Sequence, residues 1–253
     1  MSVNSLIKSN NMKANWWRFI WLPIWVVIGY FIANFVVVGA FYGLEAINLD
    51  LGMINQSIIN MVVIAVVYVL ALALVVGVPL AMFKSRPSLK ILGIATWPTW
   101  RDIILSPIAY VVYMLILVSV VSLIMNYAPI IDFEQAQDVL FDNLGQRYEY
   151  LLAFVALVVV APIAEEILFR GYLYGKLRQY GLVWLPAIIT SVVFAALHGQ
   201  WNVAVDTFIL SMVMCGLREY TGSIWAGTLV HMIKNGVAYF ALFISPSLFG
   251  SLL

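Results

Sequence analysis

Three runs of this chain, residues 19–43, 57–83 and 103–125, contain no Asp, Glu, Lys, Arg or His. Each exceeds the roughly 18 residues at which an apolar stretch becomes a candidate for a helix crossing a bilayer. Composition agrees, with 64% hydrophobic and 10% charged residues and a mean hydropathy of +1.01; an average soluble domain is about 25% charged. The fold expected is therefore an all-α polytopic membrane protein, a bundle of about seven transmembrane helices with an intramembrane polar site. The length of 253 residues holds six to eight spans and leaves no room for a soluble domain. With no internal repeat or linker to divide it, 1–253 reads as a single transmembrane domain.

Helices are expected at about 19–43, 57–83, 103–125, 150–176, 183–199, 202–217 and 223–245. The polar lead MSVNSLIKSNNMKANWWR precedes an apolar run much longer than the core of about 7–15 residues in a signal peptide, so the first run reads as a retained span. Trp16, Trp17, Trp97, Trp100, Trp184, Trp201 and Trp225 fall near span ends, where an amphipathic indole is favoured. Lys8, Lys13, Arg18, Lys84, Arg86, Lys90, Arg101, Lys176, Arg178 and Arg218 all lie before the first span or in alternate connections. By the positive-inside rule those connections are cytoplasmic, with the N-terminus, in a multi-pass protein of the cell membrane. Opposite connections carry Glu45, Asp50, Asp132, Glu134, Asp138, Asp142 and Glu149 against the single Arg147. The acidic segment from about 127 to 149 reads as solvated surface or an amphipathic cap, and residues 95–107, ATWPTWRDIILSP, as an interfacial elbow. A net charge of +1 gives no ground for a nucleic-acid partner, and the single cysteine, Cys215, reads as a packing residue that forms no intrachain disulfide.

Ionisable residues nevertheless remain inside the proposed spans: Glu165, Glu166, Arg170, His198, Asp206, His231 and Lys234. At the bilayer centre such a group costs about 2.5–3.5 kcal/mol on insertion scales, so it calls for mutual pairing or a function. At about 1.5 Å per residue, Glu165 lies roughly 16 Å along the fourth helix and His198 roughly 21 Å along the fifth. His231 and Asn235 stand roughly 12 and 18 Å along the seventh, which puts all four in one layer. Glu166 and Arg170, Phe194 and His198, and His231 and Asn235 are i,i+4 pairs, each on one helical face. Consecutive helical positions diverge by about 100°, so Glu165 and Glu166 cannot share a job. Glu166 can pair with Arg170, which leaves Glu165 as an unpaired carboxylate in a dry place, a candidate general base. Pro162, one turn before it, removes a backbone hydrogen bond and favours a kink, by which water could enter.

Taken in order, Glu165-Glu166-x-x-x-Arg170, Phe194-x-x-x-His198 and His231-x-x-x-Asn235 on successive hydrophobic helices resemble the three motifs of the CPBP intramembrane proteases. That family includes endoproteases that process prenylated CAAX proteins and bacterial relatives, some associated with bacteriocin self-immunity. The likeness covers about residues 150–240, a motif-bearing catalytic core; the first three spans match only in being hydrophobic. It implies hydrolysis of a peptide bond in a membrane-associated protein or peptide, within membrane lipid, by a glutamate-activated water and without a cofactor. Glu165 would then be the base, His198 would bind and activate the water, and His231 with Asn235 would stabilise the oxyanion. Glu166, Arg170 and Phe194 would support the site. Lys234, next to Asn235, is expected to point away and pair with an acid such as Asp206 or snorkel.

Two other readings stand beside this one. Glu165, His198 and His231 could be three ligands of a catalytic zinc ion, although HExxH is absent. Alternatively, a non-catalytic immunity or scaffold protein could keep the fold and use the polar cluster for packing. Covalent catalysis is disfavoured, because Ser191 is two turns from His198 and Cys215 has no histidine in its span. A transporter is disfavoured by the lack of repeated halves and paired broken helices.

Overall fold

Local hydrogen bonding within apolar segments makes this an all-helical bundle, as expected for backbone placed in lipid. The computed structural model describes residues 15–47, 54–83, 88–127, 133, 141 and 144–245. The polar lead before residue 15, most of the acidic segment, and Lys8, Lys13, Lys84, Arg86, Asp50, Asp132, Glu134, Asp138 and Asp142 lie outside the described residues. Seven long helices occur where seven were expected: α1 (Arg18–Ala46), α2 (56–83), α4 (Trp100–Tyr127), α5 (Arg147–Leu177), α6 (Trp184–Ala196), α7 (Trp201–Thr221) and α8 (Trp225–Ile244). A four-residue helix, α3 (Leu89–Leu92), was not anticipated.

Five of these helices, α1, α2, α4, α5 and α8, are long and apolar enough to cross a membrane. Helix α6 has 13 residues, which at about 1.5 Å each covers roughly 20 Å of the roughly 30 Å hydrocarbon thickness. It stops at Ala196 because the chain turns through Leu197, His198 and Gly199, the last at a φ of +73°. His198 thus sits in the α6–α7 turn rather than inside a span. Helix α7 reaches 21 residues and carries Asp206, Arg218 and Glu219.

The most enclosed helix is α5, whose residues Leu168–Gly175 are all buried among α3, α6, α7 and the first two helices. By contrast, α4 buries Asp102, Ser106, Ala109 and Tyr113, one small or polar stripe, against α7 and α8. Its Ile104, Leu115 and Val118 are exposed, as suits a helix facing acyl chains. Trp97, Trp100, Trp184 and Trp201 are likewise exposed at helix ends.

Prolines inside α2 and α5 break the backbone ladder, and other helices repair it. In α2 a π-helical turn, Ala73–Gly77, precedes Pro79, and the Val75 carbonyl within that turn accepts the Trp25 indole N–H of α1 at 3.1 Å. In α5 a π-helical turn, Val155–Val160, precedes Pro162, and the Ala161 amide bonds to the Ala156 carbonyl. In that register Pro162 should serve the Leu157 carbonyl but has no N–H. The Asn235 side chain of α8 donates to it instead, at 2.9 Å. Pro162 is thus accommodated by a π turn and a borrowed donor.

At one end of the bundle the basic residues gather. Arg18 lies over the Tyr180 ring at 4.6 Å and Arg101 over Tyr220 at 4.3 Å. Arg178 pairs with Glu219 at 2.6 Å, which holds its guanidinium pKa above the ordinary value. Arg218 donates to the carbonyls of Lys90 and Ile91, the last turn of α3, at 3.1 and 2.9 Å. Helix α3 ends at Gly93, whose φ of +71° is the left-handed cap that glycine adopts most readily. It presses so closely on α5 that a side chain at Gly175 would strike the Ile91 carbonyl, and one at Gly171 would come within 2.9 Å of the Leu92 carbonyl.

Gly175→Leu should therefore push α3 off α5 and lower stability by about 1–3 kcal/mol. Thermal unfolding of the detergent-purified protein checks this; an unchanged midpoint would show that α3 can shift without loss.

Candidate active site

The polar centre is built outward from Glu166. Its Oε1 lies 3.0 Å from Arg170 Nη1, one turn along α5, and both side chains have no exposed surface. The Arg170 guanidinium also lies over the Phe194 ring at 4.3 Å and contacts Met214 Sδ at 3.9 Å. Phe194 is the hub of an edge-to-face stack, with ring centroids 5.0 Å from Phe169, 4.9 Å from His198 and 5.8 Å from His231. The pairing of Glu166 with Arg170 read from their spacing is present, and Phe194 explains how the cation is tolerated at such burial.

His231 joins the two glutamates. Its Nδ1 is 3.2 Å from Glu166 Oε1, and its Nε2 is 3.7 Å from Glu165 Oε2. Glu166, ion-paired with Arg170, can only accept, so Nδ1 is the protonated nitrogen and Nε2 is turned toward Glu165. His198 is oriented in the same sense: its Nδ1–H donates to the Phe194 carbonyl at 2.8 Å, which leaves Nε2 with a lone pair. In each histidine the nitrogen nearer the backbone does structural work, and the other is left for chemistry.

Glu165, His198, His231 and Asn235 all line one cavity of about 360 Å³. Glu165 is 16% exposed where Glu166 is fully enclosed, so the two adjacent carboxylates face different surroundings, as their helical divergence requires. Asn235 lies on the cavity wall with one of its two amide hydrogens committed to the Leu157 carbonyl.

Two features differ from the expectation. Glu165 is not without a partner: the Tyr68 hydroxyl of α2 donates to its Oε1. The only hint of this was a tyrosine in the middle of an otherwise aliphatic span. Lys234 was expected to point away from the site, yet it lines the same cavity. The comparison with Asn235 was misleading; Lys234 is i+3 from His231, and i,i+3 positions share a face. It does pair with Asp206, at 3.1 Å, whose other oxygen accepts a hydrogen bond from Tyr113 of α4. As for zinc, among the described residues no group of three or more His, Cys, Asp or Glu is arranged to hold a metal ion. Cys215 is buried beside Tyr174 and Ala187, in a packing position.

With three polar motifs converging on one cavity, comparison with known sequences becomes specific. Residues 147–237 match the family described as type II CAAX prenyl endopeptidase Rce1-like. Over 89 residues the chain is 29% identical to an Escherichia coli protein named "Uncharacterized 24.3 kDa protein", covering 33% of this chain and 41% of that one. Over 84 residues it is 26% identical to a Bacillus subtilis (strain 168) protein named "Putative membrane peptidase YdiL", covering 33% of this chain and 34% of that one. The match thus spans well under half the length of these relatives. No solved structure matches the chain. The Rce1-like segment runs from α5 to the middle of α8 and holds every motif residue, whereas Tyr68 lies outside it.

The buried ion pair sets a stability test. Arg170→Met should leave the Glu166 carboxylate enclosed without its cation and cost about 3–5 kcal/mol, and adding Glu166→Gln should recover much of that loss. Thermal midpoints of the single and double variants decide; equal destabilisation in both would show that the pair is not what Arg170 contributes.

Proposed function

We propose that this integral, multi-pass membrane protein is an intramembrane endopeptidase of the glutamic type. It hydrolyses a peptide bond in a membrane-associated protein or peptide, and it lies in the cell membrane with its basic end toward the cytoplasm. The observation that carries the reading is the convergence of Glu165, His198, His231 and Asn235 on one cavity, with a carboxylate oxygen and an imidazole nitrogen 3.7 Å apart on its wall. The likeness to an endopeptidase family over the same residues supports it.

Each part then has a task. Glu165 takes a proton from a water oriented by His198 Nε2 as the water oxygen bonds to the substrate carbonyl carbon. Electrons of the C=O bond move onto its oxygen, and that charge meets the second amide hydrogen of Asn235, while His231, held through Nδ1–H by the Glu166 carboxylate, keeps Nε2 beside the Glu165 oxygen that carries the proton. The Glu165 acid returns its proton to the departing nitrogen as the C–N bond breaks, which leaves a carboxylic acid and an amine. A positioned base contributes about 10²–10⁴ in rate and each oxyanion donor about 10²–10³. Preorganisation supports such values here, since both histidines are fixed by hydrogen bonds and by rings around Phe194.

The decisive experiment compares membrane peptide profiles of cells carrying the intact protein with those carrying Glu165→Gln. Cleavage products should vanish in the variant while its abundance and thermal midpoint hold; profiles that do not differ would refute hydrolysis and favour a scaffold or immunity role. On purified protein, cleavage should survive chelator treatment with no metal found by elemental analysis. Activity lost with the metal and restored by zinc would reverse the assignment of a cofactor-free reaction.

A further inference from the structure

Glu165 has two oxygens, and each has a different neighbour. Oε2 faces His231 Nε2 and the cavity; Oε1 accepts the Tyr68 hydroxyl. Tyr68 comes from α2, which belongs to no part of the Rce1-like segment. Its ring is held by packing against the cluster that contains Ile64, Val158 and Tyr239, and it lies 6.4 Å from the ring of Tyr30 on α1. Both tyrosines border the cavity. The donor is therefore mounted on packed helices rather than on a loop, the arrangement that fixes a functional side chain within a fraction of an ångström.

We propose that Tyr68 is a positioning residue for Glu165. By occupying Oε1 it sets the rotation of the carboxylate, so that Oε2 is the oxygen presented to water and to His231. A carboxylate held at one oxygen cannot turn away to Lys234, and its working lone pairs point in one direction. The first two helices thereby complete a site whose other members all come from α5 to α8. This rests on the reading of Glu165 as the base.

The test uses the full chain in proteoliposomes. Tyr68→Phe should lower kcat roughly ten- to a hundredfold, the range for loss of one hydrogen bond to a charged group, and leave KM within about twofold. In a Glu165→Gln background the same substitution should add nothing, because residues that act through one another are not additive. An infrared readout is independent of activity. The carboxylate band that disappears in Glu165→Gln should change frequency in Tyr68→Phe. If Tyr68→Phe does not fold, 3-fluorotyrosine placed at position 68 should move the same band. Unchanged kcat, an equal loss in the Glu165→Gln background, or an unmoved band would each overturn the proposal. If the intact protein hydrolyses nothing, the proteolytic reading fails, and the band still decides whether Tyr68 holds Glu165.

Discussion

A guanidinium and a carboxylate with no exposed surface, Arg170 and Glu166, set the terms for everything near them. Taking two charges out of water costs several kcal/mol per ion, and mutual attraction offsets this only with further partners. Here the partners are Phe194 under the cation and His231 beside the anion, and these residues carry two of the three motifs. The pair therefore fixes the imidazole tautomer, anchors the ring stack and brings α5, α6 and α8 to one point. A buried pair often contributes little net stability; in this bundle its worth lies in orientation.

Proline is handled by the same economy of partners. In α2 and in α5 a carbonyl of the π turn before the proline accepts a side-chain donor from a neighbouring helix, from Trp25 and from Asn235. In α5 this means that a cavity-lining side chain is held by the irregular backbone it supports. Asn235 is oriented because Pro162 leaves Leu157 in need, so the π turn in α5 and the polar wall of the cavity are one arrangement.

Much of this was legible beforehand, for physical reasons. Long apolar runs in lipid must be helical, so α1, α2, α4, α5 and α8 followed from hydropathy alone. Pairs such as Glu166–Arg170 were legible because i,i+4 geometry is local. Contacts between helices far apart in sequence were not. Nothing in an aliphatic span distinguishes Tyr68 from a packing ring until α2 is docked against α5. The i,i+3 relation of Lys234 to His231 was available, but its adjacency to Asn235 suggested the opposite face. The end of α6 at Ala196 also escaped, since a run that stays apolar through Leu197 gives no stop signal before the turn at His198 and Gly199.

That early stop has a consequence for the surrounding lipid. Beginning beside an exposed tryptophan at position 184, α6 covers about two thirds of a typical hydrocarbon thickness before the chain doubles back. Lipids bordering the hairpin must compress to meet it, or headgroups and water must dip inward to its tip. In a bilayer of ordinary thickness such a hairpin would draw headgroups and water inward on the side where His198 sits, and acyl-chain length would set the depth of that dimple.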